Sequence, residues 1–142
     1  MTGSAFLDTN VVVYAFDDDE PEKQERARAV LDAPATEVLV LSAQVLAEFY
    51  VTVTRKLARP LAPASAREAV AALSELPVVS ADADLVLAGI EVSDRYQISL
   101  WDGLIVQAAV TAGCETILTE DLADGSLLAG VRIQNPFAAT GR

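Results

Sequence analysis

Val38-Leu39-Val40-Leu41 is a run of four aliphatic residues with no polar residue to turn towards water. A run that short and that uniformly apolar suits a strand covered on both faces, as in a parallel sheet with helices on either side. Ala5-Phe6-Leu7, Val78-Val79, Thr116-Ile117-Leu118 and Val131-Arg132-Ile133 repeat the theme along the chain. Between them lie segments with apolar residues at helical spacing. The alternation predicts an α/β chain, with a mostly parallel central sheet flanked by helices. Residues 1–142 show no repeat, no low-complexity linker and no composition break, so they are read as a single domain.

The helices are punctuated by recognisable caps. Val11 to Phe16 spans one or two turns. Asp17-Asp18-Asp19-Glu20 precedes Pro21, a favoured first-turn residue, and acids collect there because the helix dipole favours them. Glu22 to Leu31 is a surface helix. Ser42 caps a helix that runs to about Leu57, with Leu46, Phe49, Tyr50, Val53 and Leu57 as its apolar stripe. Glu48 falls off that stripe, near Gln44, Thr52 and Arg55, and periodicity alone assigns it to a solvated face. Ala64 to about Leu76 and Ala81 to about Asp94 are scaffold helices, the second capped by Ser80. A last helix begins at Ser99 and ends near Ala112 and Gly113.

Composition removes most chemistries. There is no histidine, and Cys114 is the one cysteine. Zinc sites of the usual kind, Ser-His-Asp and Cys-His mechanisms and an internal disulfide are therefore excluded. Enzymatic chemistry would rest on Asp and Glu, and sites built of carboxylates alone suit hard ions such as Mg²⁺ or Mn²⁺. The net charge of −11 is the opposite of the basic footprint of a simple nucleic-acid binder. Arg55, Lys56 and Arg59 are the densest basic patch. No apolar run approaches the roughly 18 residues of a membrane span, and the N-terminus lacks a signal-peptide pattern. The expected location is the cytoplasm.

Three acids stand out by position. Asp8 ends the first apolar run, and Asp121 follows Thr116-Ile117-Leu118 after Thr119-Glu120. Right-handed crossovers put the C-terminal ends of parallel strands on one sheet edge, where ligand sites form. Asp102 heads a helix whose Ile105, Val106 and Ala109 share its stripe, so it points towards the core or a cleft. Ser99 and Asp102 also have the spacing of a capping box, and Thr119-Glu120-Asp121 also reads as a polar turn. Carboxylates brought together repel unless a cation joins them, so convergence itself predicts a metal. Asp8 as a phosphorylated nucleophile is the rival chemistry. A dehalogenase-type phosphatase wants a second Asp where this chain has Asn10, and a receiver domain wants a lysine after a late strand, whereas the only lysines are Lys23 and Lys56.

Asp8-Thr9-Asn10 after the first strand, Glu48 in a mid-chain helix, the Trp101-Asp102-Gly103-Leu104-Ile105-Val106-Gln107-Ala108-Ala109 helix, Leu118-Thr119-Glu120-Asp121-Leu122 and the closing Asn135-Pro136-Phe137 together resemble the PIN domain, in particular the VapC-type toxins of bacterial toxin–antitoxin modules. The resemblance implies a PIN-like, Rossmann-like three-layer fold. It implies a ribonuclease dependent on Mg²⁺ or Mn²⁺, with Asp8, Glu48, Asp102 and Asp121 as its catalytic acids and Asp8, Asp102 and Asp121 as its metal ligands. It reverses the reading of Glu48. Thr9, Asn10, Thr119 and Glu120 become groups that orient those acids or the substrate. RNA as substrate, a homodimer and a cognate antitoxin protein are implied as well. Charge complementarity adds that an Arg-rich antitoxin segment would suit the acidic pocket. The competing expectation is a catalytically silent interaction module on the same fold.

Overall fold

The computed structural model describes residues 3–32 and 37–138. In chain order the elements are β1 (Gly3–Leu7), α1 (Thr9–Tyr14), α2 (Pro21–Leu31), β2 (Glu37–Ser42), α3 (Ala43–Arg55), α4 (Pro63–Leu73), β3 (Val78–Val79), α5 (Ala83–Tyr96), α6 (Leu100–Thr111), β4 (Thr116–Leu118), β5 (Leu127–Leu128) and β6 (Val131–Gln134). The strands form one sheet in the order β3-β2-β1-β4-β6-β5. Every neighbouring pair is parallel except β5 with β6, which is a hairpin.

The apolar runs are strands covered on both faces over most of their length, but not throughout: Val38, at the start of β2, is 42% exposed and Val78 in the edge strand 37%. Ala5, Phe6, Leu7, Leu41 and Ile117 are fully buried, and Leu39 and Val40 nearly so. The order has a functional consequence. After β1 the chain crosses to β2 and β3 on one side, then returns to lay β4 on the other. The switch point of the sheet is therefore between β1 and β4, the position where open α/β sheets bind ligands. Leu7 pairs with Leu118 in register, so Asp8 and Thr119 leave the sheet side by side.

The helices pack in two groups. α1 contacts α2 and α3, and α3 contacts α4; α5 packs along α6. The second pair is very close. A Cβ added at Gly103 would lie 2.5 Å from the Gly89 carbonyl oxygen, and one added at Gly89 would lie 2.6 Å from Leu104 Cδ2. α6 stops in a Schellman motif, with Cys114 N–H donating to Ala109 O (2.9 Å), Gly113 N–H to Val110 O (3.0 Å), and Gly113 at φ +72°. That turn sends the chain straight into β4.

Several sequence expectations need correction. Asp82, not Ser80, caps α5, accepting from Leu85 N–H (2.8 Å), and the helix runs two residues later than read. β5 (Leu127–Leu128) is a strand that the sequence reading does not include; it exists as the antiparallel partner of β6. α6 does not have one apolar stripe but is buried nearly all round, from Gly103 to Val106 and again at Ala108 and Ala109. The α3 stripe also includes Val45, which is fully buried. No helix among the described residues is long and apolar enough to cross a membrane.

Candidate active site

Asp8 does two jobs at the end of β1. Its Oδ1 accepts from Thr9 N–H (2.7 Å), which caps α1, and its Oδ2 accepts from Thr119 Oγ1 (2.8 Å). The residue is only 5% exposed. Burial is the main cause that pushes its carboxyl from an ordinary 3.8 up to about 6. The Thr119 and Thr9 hydrogen bonds pull it down, and the charges of Asp121 and Asp102 push it up.

Thr119, fully buried, is the hub. Its hydroxyl donates to Asp8 and accepts from Asp121 N–H (3.0 Å) and Asn10 Nδ2 (3.3 Å), which uses all of its hydrogen-bonding capacity. Asn10 laces the two strand ends together. Its Nδ2 reaches Asp121 Oδ2 (3.1 Å) and Asp8 Oδ2 (3.4 Å), and its Oδ1 accepts from Glu120 N–H (3.3 Å). An aspartate at position 10 would supply no donor for this lacing.

Asp102 sits at the third position of α6, half-buried, with its N–H donating to Ser99 Oγ (3.0 Å). Ser99 caps the helix through that N–H while the Asp102 carboxyl feels the charges of the other acids, so the two readings of the spacing hold together. Its carboxyl is raised, first by burial and then by the charges of Asp121 and Glu48, against a lowering hydrogen bond with Ser99. Glu48 is not on a plain solvated face. Thr9 Oγ1 donates to its Oε1 (2.7 Å), and Gln44 Nε2 to its Oε2 (3.3 Å). The partner on α1 decides its role, and the periodicity of α3 carried no trace of it.

Glu120 is turned away from this group. Lys23 Nζ forms an ion pair with its Oε2 (2.9 Å), and Tyr14 donates to its Oε1. Its side chain anchors the β4 exit loop to α1 and α2, and only its backbone N–H serves the site. Lys23 and Tyr14 had no signal in sequence. Gln44 had one, its i−4 spacing from Glu48.

The charges of Asp102 and Asp121 thus reach Asp8, and that of Glu48 reaches Asp102, at the crevice that the strand order creates. The larger cavities lie elsewhere. One of about 970 Å³ runs along β2, β3 and α5, and one of about 820 Å³ lies between α3 and α4; none of the four acids lines either. The donor set fits a hard divalent cation: carboxylate oxygens, one of them buried beside like charges that disfavour its ionisation. It is not a closed ligand sphere, since among the described residues no three acids stand close enough together to hold an ion.

A family model described as PIN domain matches residues 5–123. No curated protein sequence matches the chain. Among solved structures, the FitAB complex bound to a DNA fragment is 25% identical, with a TM-score of 0.68 over 93% of this chain and 94% of that one. A toxin–antitoxin complex from Klebsiella pneumoniae is 19% identical, with a TM-score of 0.67 over 94% and 98%. VapC20 of Mycobacterium tuberculosis, described as a sarcin-ricin loop cleaving toxin, is 20% identical, with a TM-score of 0.61 over 82% and 89%. The last two share the fold with this chain.

Proposed function

This chain belongs to the PIN domain family, and on that premise we propose that it is a metal-dependent endoribonuclease, the toxin of a toxin–antitoxin pair in the cytoplasm. The observation that carries the reading is Asp8: a buried carboxylate at the sheet's switch point, with the charges of Asp102 and Asp121 acting on it.

Asp8, Asp102 and Asp121 would hold Mg²⁺ or Mn²⁺. Such an ion, when bound, polarises a phosphodiester oxygen and makes a water more acidic. The chain's own groups supply orientation and proton transfer. Thr119 and Asn10 fix Asp8 and Asp121 in one arrangement. Glu48, held by Thr9 and Gln44, accepts the proton of the attacking water and directs it in line with the leaving oxygen. Asp121 is the other group placed to orient that water. Lys23 and Tyr14 hold the Glu120 carboxylate out of the ligand set.

The structural neighbours with antitoxins in their names support a protein partner. With a net charge of −11, a basic antitoxin is the complementary choice, its arginines pairing with the acids of the cleft. The active form is read as a homodimer by family resemblance.

The test is cleavage of single-stranded and structured RNA by purified protein, with Mg²⁺ or Mn²⁺, with EDTA, and with the Asp8→Asn variant alongside. Cleavage that stops on chelation and in the variant is expected; cleavage indifferent to both would sink the reading. A silent binding module is favoured by one observation, that among the described residues no three acids stand in joint ligating reach. Thermal unfolding separates the two. Mn²⁺ at a hundred times its Kd would stabilise the nuclease by about 2.7 kcal/mol, an effect lost in Asp8→Asn, whereas the silent module would not respond.

A further inference from the structure

α3 carries one polar edge. Gln44, Glu48, Thr52 and Lys56 recur at every fourth residue, the spacing that stacks side chains along one side of a helix. The edge starts beside α6, where Gln44 Nε2 approaches the carbonyl of Trp101 (3.5 Å), the residue before Asp102. It passes Glu48 and ends at Lys56, the C-cap of α3. A cavity of about 360 Å³ is lined by Thr9, Glu48, Thr52 and Lys56. Another of about 340 Å³ is lined by Thr9, Asn10, Thr52 and Asp121. The two meet at Thr9 and Thr52 and make a trench that leads from the acids to Lys56.

Cations are scarce on this molecule, and most are already engaged. Lys23 is paired with Glu120, and Arg59 with Asp19. Arg26, Arg28 and Arg132 donate to backbone carbonyls. Arg95 lies over the Tyr96 ring, and Arg67 faces the α3–α4 cavity. Arg55 lines neither lobe of the trench. Lys56 is exposed and, among the described residues, is in no ion pair and is the one Lys or Arg that lines the trench.

We propose that Lys56 is a substrate-binding residue that holds a backbone phosphate of single-stranded RNA, next to the bond that is cut. The inference rests on the nuclease reading above. A polyanion entering an acidic trench gains affinity from each phosphate that a cation of the protein neutralises. Lys56 lies eight residues from Glu48, or roughly 12 Å along the helix axis. The phosphate it holds is therefore a flanking one, and the contact sets how the strand lies across the acids rather than how the bond breaks. An ammonium serves as a point charge for this purpose, without the fork geometry of arginine.

Binding of a fluorescent single-stranded oligoribonucleotide is measured in the Asp8→Asn background with Mg²⁺ present, with and without Lys56→Ala, across a salt series. Lys56→Ala is expected to weaken binding roughly tenfold at low salt and to reduce the slope of log Kd against log salt by about 0.7. Lys56→Arg should restore both. Arg67→Ala, away from the trench, should leave both unchanged. In the active protein Lys56→Ala should raise KM and spare kcat, and an oligonucleotide cut short on the Lys56 side should no longer sense the substitution. Unchanged affinity and slope, or an equal effect from Arg67→Ala, would overturn the proposal. These binding results stand whether or not the protein cleaves RNA, so failure of the nuclease reading shows up separately, as absent cleavage.

Discussion

A single buried carboxyl group is enough to tie this protein's stability to pH. Asp8 titrates near 3.8 when unfolded and is raised to about 6 in the fold, chiefly by burial. The folded state therefore binds its proton more readily, and stability associated with Asp8 is fully present below about pH 4 and lost as pH rises towards 6. At about 1.4 kcal/mol per pH unit the loss is on the order of 3 kcal/mol. Metal-free Asp8→Asn should thus be more stable than the parent at pH 7, by up to that amount, and the gap should close by about pH 4. The gain is capped because an amide keeps only one of the two acceptor oxygens that Thr9 and Thr119 use. Denaturant melts at both pH values decide it, and a less stable variant at pH 7 would contradict the assignment. Asp8 was legible in sequence because an apolar run stopped at it. The burial of Thr119 and the engagement of Glu120 by Lys23 were not, because both depend on which elements the chain later brings alongside.

Helix pairs are where a small residue becomes a constraint on chemistry. Gly103 follows Asp102 and lies against the backbone of Gly89. In an exposed helix, Gly→Ala stabilises by about 1 kcal/mol. Here the added methyl meets a carbonyl oxygen that cannot move aside without shifting α5, so the sign reverses. Gly103→Ala should destabilise by roughly 1–3 kcal/mol and lower activity further, by displacing Asp102. A calorimetric scan showing an equal or higher Tm would refute the close-packing account. Most elements could be read from short aliphatic runs and caps, and Ser42 and Ser99 cap as expected. Ser80 and Asp82 are both residue types that cap helices, and in the fold it is Asp82 that accepts the Leu85 N–H. Glu48 belongs to the same lesson, since its meaning came from α1 across the cleft and not from its own helix.

At the scale of the whole molecule, a formal charge of −11 on 142 residues is a load on the compact state. Self-repulsion reaches about 30 Å at 10 mM salt and about 10 Å at 100 mM. Tm should therefore climb when NaCl is raised over that range, before any divalent ion is added, and a Tm that stays flat or falls would show that the acids are already balanced locally. The two margins of the sheet bear on a different hazard. β3 and β5, the strands at its edges, are two residues long apiece. Each offers a strand from another molecule a ladder of only two residues, which makes β3 and β5 themselves poor templates for strand addition.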